Sequence, residues 1–574
     1  MTKKNIIIWV CVIVGLAIAI TATTLGLVIY GDTVTLSVSA NQIAESTQAN
    51  ITWNTDKSID KVQIDVYHHD YLEKSYTFAD SVTLHSSSTT IDTHFGKNTI
   101  EVTVFRGICK KTKTINLNVF ASEYNIAPLM ATMPVTMFTL DIDNITKQGN
   151  IPTFVWFDRG EHWNYAYLPE NVYAFPGISE QELNRSHRDY IYDQSSKFVK
   201  ELYDINPTSK FNFYYNDGWS NGYVKAVFAN NIPETNCKLY LLSDGVYSYN
   251  AFNSYFDNPE TANANYADLL SRYELLKTQV SQTGKYEQDN PDYALTYGEL
   301  GAASYVLARE YDNIEWWLPR KSGVFAPNNA TIKTQVEADS KVVVKDLKTL
   351  FDNSNQDAVK KLFNFGSTTF APSNESGKKA MVILGTNIEF EYNFELYVKA
   401  LQKIHGDEYV YYYKGHPRYP SSFFEGRKDY LDALNLYELE STIPAELLFF
   451  FNPDAYCTGY QSTTYQSLNV EQVISVFNKT FTSINAEIEA STANSSEIKL
   501  SYYTKEDNQL KLDYVINLTP ATDEKYGLLV TSDKCAVIEY ANTTNYDISI
   551  YDLNTDSLKH YKYNNDTHAY EEVL

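Results

Sequence analysis

The sequence predicts an α/β protein: two consecutive strand-and-helix domains, preceded by a membrane-crossing helix and an all-β sandwich and followed by a small β-rich module. Three observations carry this expectation. Apolar strands alternate with helical stretches in two successive series between residues 122 and 485. Short period-two runs fill 32–121 and return after 486. The run Ile6–Tyr30 holds 25 residues without a charge.

That first run is long enough to cross a bilayer as a helix. Lys3 and Lys4 precede it and the next basic residue is Lys57, so the positive-inside rule keeps the N-terminus in the cytoplasm and the bulk of the chain outside. The run exceeds the apolar core of a signal peptide and lacks a sharp small-residue cleavage site, which favours a single-pass anchor over 1–31. Residues 32–121 follow as a sandwich, with alternating runs at Thr33–Val38, Ala49–Trp53, Lys61–Tyr67, Asn98–Phe105 and Lys113–Phe120 separated by polar turns. Its expected role is a spacer.

The first α/β series, 122–375, offers strands at Val135–Leu140, Thr153–Phe157 and Phe211–Tyr215, and helices at 193–204, 264–281 and 294–312. A polar stretch, 371–379, reads as a hinge. The second series, 376–485, holds a strand at Ala380–Leu384, a helix at 391–404 and a strand at Glu408–Tyr413. Beyond it, 486–574 returns to short alternating strands such as Glu497–Tyr503 and Tyr546–Tyr551.

Composition excludes several functions. Lys and Arg number 47 against 71 Asp and Glu, a net charge of −24, which argues against a nucleic-acid partner. Five cysteines, Cys11, Cys109, Cys237, Cys457 and Cys535, lie far apart and form neither a zinc nor a disulfide framework. His68, His69 and Asp70 are consecutive in a strand, where neighbours face opposite sides, so they are a poor metal site. No Walker loop, GxSxG or HExxH is present.

The chemistry-bearing residues sit just past apolar strands, the edge at which open α/β sheets bind ligands. Asn216-Asp217-Gly218-Trp219 places an acid where it can act as a general base, although Asn-Asp-Gly is also ordinary turn chemistry. Lys414-Gly415-His416-Pro417 places two groups able to meet a phosphate. Glu446 at a helix start can take ribose hydroxyls, and Ser462 and Thr463 at a later one can cradle a phosphate, or simply cap the turn. Asp158, Arg159 and His162 follow another apolar strand and are candidates for the acceptor side of a cleft.

Together and in this order, Asn-Asp-Gly, Lys-Gly-His-Pro, Pro444-Ala445-Glu446 and the hydroxyl pair resemble the bacterial sialyltransferases of glycosyltransferase family 80, the Pasteurella and Photobacterium type. Leu384-Gly385-Thr386 is similar to that family's Thr-Gly-Thr strand end. The motifs span about 210–470, and the layout, with an immunoglobulin-like domain in front, spans 32–470. The resemblance implies a GT-B fold of two Rossmann-like domains, the acceptor side on 122–375 and the donor side on 376–485. It implies a CMP-activated sugar donor, inversion, and no metal or cofactor. Asp217 is then the base and His416 assists departure of CMP. Lys414, Gly415, Pro417 and Gly385 lie near the nucleotide, Glu446 holds the ribose, and Ser462 and Thr463 hold the phosphate. Trp219 falls on the acceptor side. Asn216 stands where the family has an acid, Thr463 where it has a second Ser, and Glu389 or Phe390 where it has a Trp. The expected reaction moves sialic acid, or a related acidic sugar, to a hydroxyl of a glycan or glycolipid. The alternative from another class is a membrane-anchored adhesin or glycan-binding protein on a non-catalytic scaffold.

Overall fold

The structure, a computed structural model, describes residues 34–573 except 41–42, 69–70, 80–85, 108, 159–162, 176–186, 288–289, 386–393, 417–425, 460–461, 469–471, 475–476, 481–485, 495–496, 507–508, 519–527, 531–533, 541–545, 565 and 567–568. The chain forms two compact units.

The first unit comprises the residues up to Tyr124 with Gln194–Asn212 and Asn230–Cys237. A three-stranded antiparallel sheet runs in the order Leu36–Ser39, Gln48–Thr55, Ser86–Asp92, and a five-stranded sheet in the order Ile43–Ala44, Cys109–Phe120, Gly96–Arg106, Lys61–His68, Tyr71–Ala79. Period two decides what is buried: Ala49, Ile51 and Trp53 of one sheet and Val62, Ile64, Val66, Ile100, Val102 and Val104 of the other form the core. Every element described between Leu36 and Phe120 is a strand. Gly96 stands at φ +106, a conformation that L side chains rarely adopt, beside the Glu201 carboxylate that accepts from the Lys97 amide at 2.6 Å.

The second unit holds Asn125–Asp193, Phe213–Ala229 and everything from Lys238 onward. A seven-stranded sheet is built from β1 (Glu123–Leu129), β2 (Thr153–Phe157), β3 (Val172–Phe175), β4 (Lys210–Asn216), β5 (Cys237–Leu242), β6 (Ile314–Leu318) and β7 (Val342–Val344), in the order β3-β2-β1-β4-β5-β6-β7. The pairs β1–β2, β2–β3, β5–β6 and β6–β7 are parallel. This is the doubly wound order, with its switch point between β1 and β4. The helices used below are α1 (Thr132–Leu140), α2 (His187–Ile205), α3 (Val246–Phe256), α4 (Ala262–Thr283) and α5 (Tyr297–Glu310).

The sequence expectation of a strand at Val135–Leu140 is overturned by α1. Every residue from Met133 to Leu140 is buried, so this helix has no polar face and its apolar run shows no 3.6 period. The helices expected at 264–281 and 294–312 are α4 and α5 with ends shifted by a few residues.

A second, four-stranded parallel sheet contains β8 (Lys379–Leu384), β9 (Tyr409–Lys414), β10 (Tyr437–Glu438) and β11 (Tyr456–Gly459), in the order β10-β9-β8-β11. It carries α6 (Phe394–His405), α7 (Arg427–Ala433) and α8 (Ala445–Phe451). Strand β8 is buried on both faces, which is why it reads as an unbroken apolar run. Met381 and Ile383 pack against Tyr397, Val398 and Leu401 of α6. Val382 and Leu384 join a core that continues through Leu447 and Leu448 of α8 to Phe138 of α1 and to Leu129 and Trp317 of the first sheet.

After Phe477 the described chain is strands: a six-stranded sheet, and a three-stranded antiparallel one over Ala486–Asn494, Glu497–Glu506 and Gln509–Leu518. Tyr551 packs into the core under α6, and Lys403 of that helix pairs with Asp556 at 3.2 Å. Among the described residues no helix is long and apolar enough to cross a membrane. The proposed anchor, Ile6–Tyr30, lies outside the described residues.

Candidate functional site

Strand β4 ends at Asn216, whose side-chain oxygen accepts from the Gly218 amide at 2.8 Å and bends the chain into the turn Asp217–Trp219. A Cβ on Gly218 would lie 2.0 Å from the Tyr297 ring, so only glycine lets this turn pass so close to α5. The turn points Asp217 into the protein, where it has no exposed surface. Trp316 Nε1 of β6 donates to its Oδ2 at 2.9 Å, and the Asp244 amide donates to its Oδ1 at 3.3 Å. Burial pushes the carboxyl up to about 7 and the nearby Asp244 adds to the rise, against hydrogen bonds from Ser248 and Trp316. A carboxyl poised near neutrality is suited to proton transfer at working pH.

Asp244 follows β5 as Asp217 follows β4. Ser248 Oγ caps this corner by accepting from the Asp244 amide at 2.8 Å. The Tyr297 phenol donates to Asp244 Oδ2. Tyr297 is placed by a capping box at the start of α5, where Thr296 and Glu299 satisfy each other's amides. Its ring stacks on Tyr247 at 4.0 Å and on Trp219 at 4.4 Å. The Arg188 guanidinium lies 4.5 Å from the Trp219 ring centre.

At the end of β9, Lys414 is buried and donates from Nζ to the carbonyls of Gly415 at 3.0 Å and Ser441 at 2.8 Å. Burial drives its amine down to about 7, opposed by the charge of Glu446. Gly415 leaves room for Arg427 of α7, whose Nη2 would lie 2.1 Å from a Cβ there. Arg427 pairs with Glu438 at 3.2 Å, so two buried cations flank the Lys-Gly-His turn. His416 is half-buried next to them. The Gly385 amide donates to the Lys414 carbonyl at 2.9 Å and ties the ends of β8 and β9 together.

Glu446, in the first turn of α8, is buried, and burial raises its carboxyl. It accepts from Thr464 Oγ1 at 3.0 Å. Ser462 caps the turn Thr463–Ser467 by accepting from the Thr464 amide at 3.3 Å. Thr463 Oγ1 accepts from the Val246 amide at 3.3 Å, at the N-terminus of α3, and would clash with a Cβ on Gly245. The carboxyl edges of the two sheets therefore meet at Gly245–Val246 and Thr463.

Of the residues selected from sequence, Asp217 and Trp219 come together on one side of this contact and Lys414, Gly415, Glu446, Ser462 and Thr463 on the other. Asp158, half-buried at the end of β2, exerts its charge on Tyr192, whose hydroxyl donates to the Trp219 carbonyl. Arg159, His162 and Pro417 lie outside the described residues. Sequence reasoning passed over Asp244, Tyr297, Trp316, Arg427 and Thr464. Ser243-Asp244-Gly245 after an apolar strand has the same grammar as Asn216-Asp217-Gly218, and Thr296–Glu299 is a readable capping box; Trp316 and Arg427 carry no local signal.

Residues 194–476 match the family model for alpha-2,8-polysialyltransferase (POLYST), a segment that contains both halves of this site. The chain is a glycosyltransferase. No curated protein matches the transferase. Among solved structures it is similar to a sialyltransferase from Photobacterium damsela, at 13% identity over 77% of this chain and 91% of that one, with a TM-score of 0.47. It is also similar to a Vibrionaceae Photobacterium 2,6-sialyltransferase, solved as a ternary complex with CMP and lactose, at 15% identity over 75% of this chain and 87% of that one, with a TM-score of 0.47.

Proposed function

We propose that this transferase has a GT-B architecture and moves sialic acid, or a related acidic sugar, from a CMP-activated donor to a hydroxyl of a glycan or glycolipid, with inversion and without a metal. The observation that carries this reading is the meeting of two unlike clusters at the Thr463–Val246 contact. A carboxyl poised near neutrality lies on one side, and a cationic, hydroxyl-lined cluster lies on the other. Asp217 takes the proton of the acceptor hydroxyl as its oxygen bonds to the anomeric carbon. The bond from that carbon to the CMP phosphate breaks on the opposite face, which inverts the centre. The electron pair leaves on the phosphate oxygen, where Lys414, His416 and the hydroxyls of Ser462 and Thr463 supply the compensating charge and donors. Glu446 receives the ribose.

Because Asp217 has no exposed surface, a hydroxyl reaches it only when the Thr463–Val246 contact or the Tyr297 stack gives way. Opening and reclosing therefore belong to the cycle in this reading. The uncharged run Ile6–Tyr30 would anchor the transferase to a membrane, with 32–121 as its spacer.

Calorimetric titration of the purified chain with CMP is expected to give a Kd in the micromolar range. His416→Ala should weaken it by about 10-fold to 100-fold, the loss of one charge-assisted hydrogen bond. Absence of CMP binding would sink the reading and favour the glycan-binding alternative. A second expectation concerns Lys414. Its amine is charged below about pH 7. A bound phosphate favours that charged form, so wild-type affinity falls relative to Lys414→Met as pH rises from 6 to 8.5. Parallel pH profiles for the two proteins would remove Lys414 from the nucleotide site.

A further inference from the structure

The corner after β5 repeats the corner after β4, and both face the same point. Asp217 is enclosed by four elements, and the titratable groups that face it are Asp244 at the end of β5, Tyr247 and Tyr249 on α3, and Tyr297 on α5. The three phenols are held above their ordinary range by burial first. They are neutral across the working pH range, which leaves Asp244 as the charge that distinguishes the site.

We propose that Asp244 is the positioning carboxylate of the base site: its amide fixes Asp217, and its side chain, clamped by the Tyr297 phenol, faces that carboxyl with a second negative charge. This rests on the reading of Asp217 as the base. Several contacts restrain Asp244. Ser248 holds its amide, Tyr297 holds Oδ2, and the stack of Trp219, Tyr297 and Tyr247 holds the phenol. Its charge has one consequence for the reaction. When the acceptor O–H proton moves to Asp217, two facing negative charges become one, so the transfer relieves a repulsion present in the resting enzyme. The proton ends on Asp217, Asp244 stays ionised, and no other group changes state. The Tyr297 phenol donates to Asp244 Oδ2, which favours the ionised form of Asp244.

The measurement is the pH profile of kcat/KM for transfer from CMP-sialic acid by the full chain, for wild type, Asp244→Asn and Asp244→Glu. Asp244→Asn keeps the amide and removes the charge, so the acid limb moves down by about one unit. Asp244→Glu keeps the charge and leaves the limb where wild type has it. If Asp244→Asn does not fold, the smaller neutral Asp244→Ser carries the same comparison. A limb that stays in place in the neutral variant, whatever the loss in kcat/KM, overturns the proposal, because a merely structural residue lowers rate without moving the titration. Infrared titration of the Asp217 carboxyl, identified by its loss in Asp217→Asn, reads the same shift without turnover. Absence of transfer by wild type would therefore count against the proposed reaction, while the infrared shift alone decides the role of Asp244.

Discussion

Asp217→Asn is expected to lower kcat/KM for sugar transfer by about 10²-fold to 10⁴-fold while making the protein more stable above neutral pH. Both effects come from one feature. The carboxyl is fully buried and its titration is raised to about 7. A carboxyl raised in the folded state stabilises the fold fully below its unfolded value near 4, and that contribution is lost as pH rises through about 7. At pH 8 the native protein therefore carries the whole cost of a buried charge, on the order of a few kcal/mol at about 1.4 kcal/mol per pKa unit. Asn has no charge to bury and still offers an oxygen to Trp316. The melting temperature of the variant should exceed that of wild type most at pH 8 and progressively less toward pH 5. CMP affinity should stay unchanged, because Asp217 is separate from Lys414 and Glu446, the residues proposed to hold the nucleotide. A variant less stable than wild type at pH 8 would mean that the carboxylate is satisfied in place and is not a strained base. If Asp217 is the base, this cost of burial is the stability–activity trade expected of a charged group kept dry until substrate arrives.

What could be read from sequence follows from where each signal resides. Strands β8 and β9 were legible because parallel strands buried on both faces are continuous apolar runs, and the sandwich because its strands bury only one face. Helix α1 was misread because a helix buried on all sides loses its period. The site shows the same division. Asp217 and Lys414 stand after apolar strands, at the sheet edge where chemistry is expected, so local sequence exposes them. Asp244 obeys the same rule one strand later. Trp316 and Arg427 reach the site only through the tertiary packing of β6 and α7, and nothing in their neighbours marks them, whereas Tyr297 follows a readable capping box. The hydroxyls around Ser462 and Thr463 have separate partners that the sequence does not announce. Thr464, not Ser462 or Thr463, contacts Glu446, while Ser462 caps the turn and Thr463 reaches across to Val246. A Ser-Thr-Thr run at a turn gives no local clue as to which hydroxyl faces which partner.

Gly459→Ala is expected to destabilise the second unit by at least about 2–3 kcal/mol and to abolish CMP binding, although Gly459 itself has no side chain to offer a ligand. Gly459 closes β11 at φ +116, a conformation that L side chains rarely adopt. A Cβ there would lie 2.2 Å from the Leu384 carbonyl oxygen and 2.5 Å from the Leu384 amide nitrogen. Both obstacles are backbone of β8, an inner strand of its sheet, and Leu384 pairs with Gly459 itself. No rotamer change relieves that overlap, so β8 and β11 must part at their carboxyl ends. Those ends carry the proposed nucleotide residues: Gly385 follows Leu384 and is tied to Lys414, and Ser462 and Thr463 follow Gly459 three and four residues on. Gly426→Ala is the matched control. Gly426 also has positive φ, at +76, but no atom lies within 4 Å of a Cβ there, so it pays backbone strain alone, about 1 kcal/mol. Urea unfolding of both variants, with CMP titration at each, separates strain from steric contact. If Gly459→Ala unfolds like Gly426→Ala and still binds CMP, the close approach of β11 to β8 does not shape the nucleotide site, and the hydroxyls of Ser462 and Thr463 are held by α8 instead.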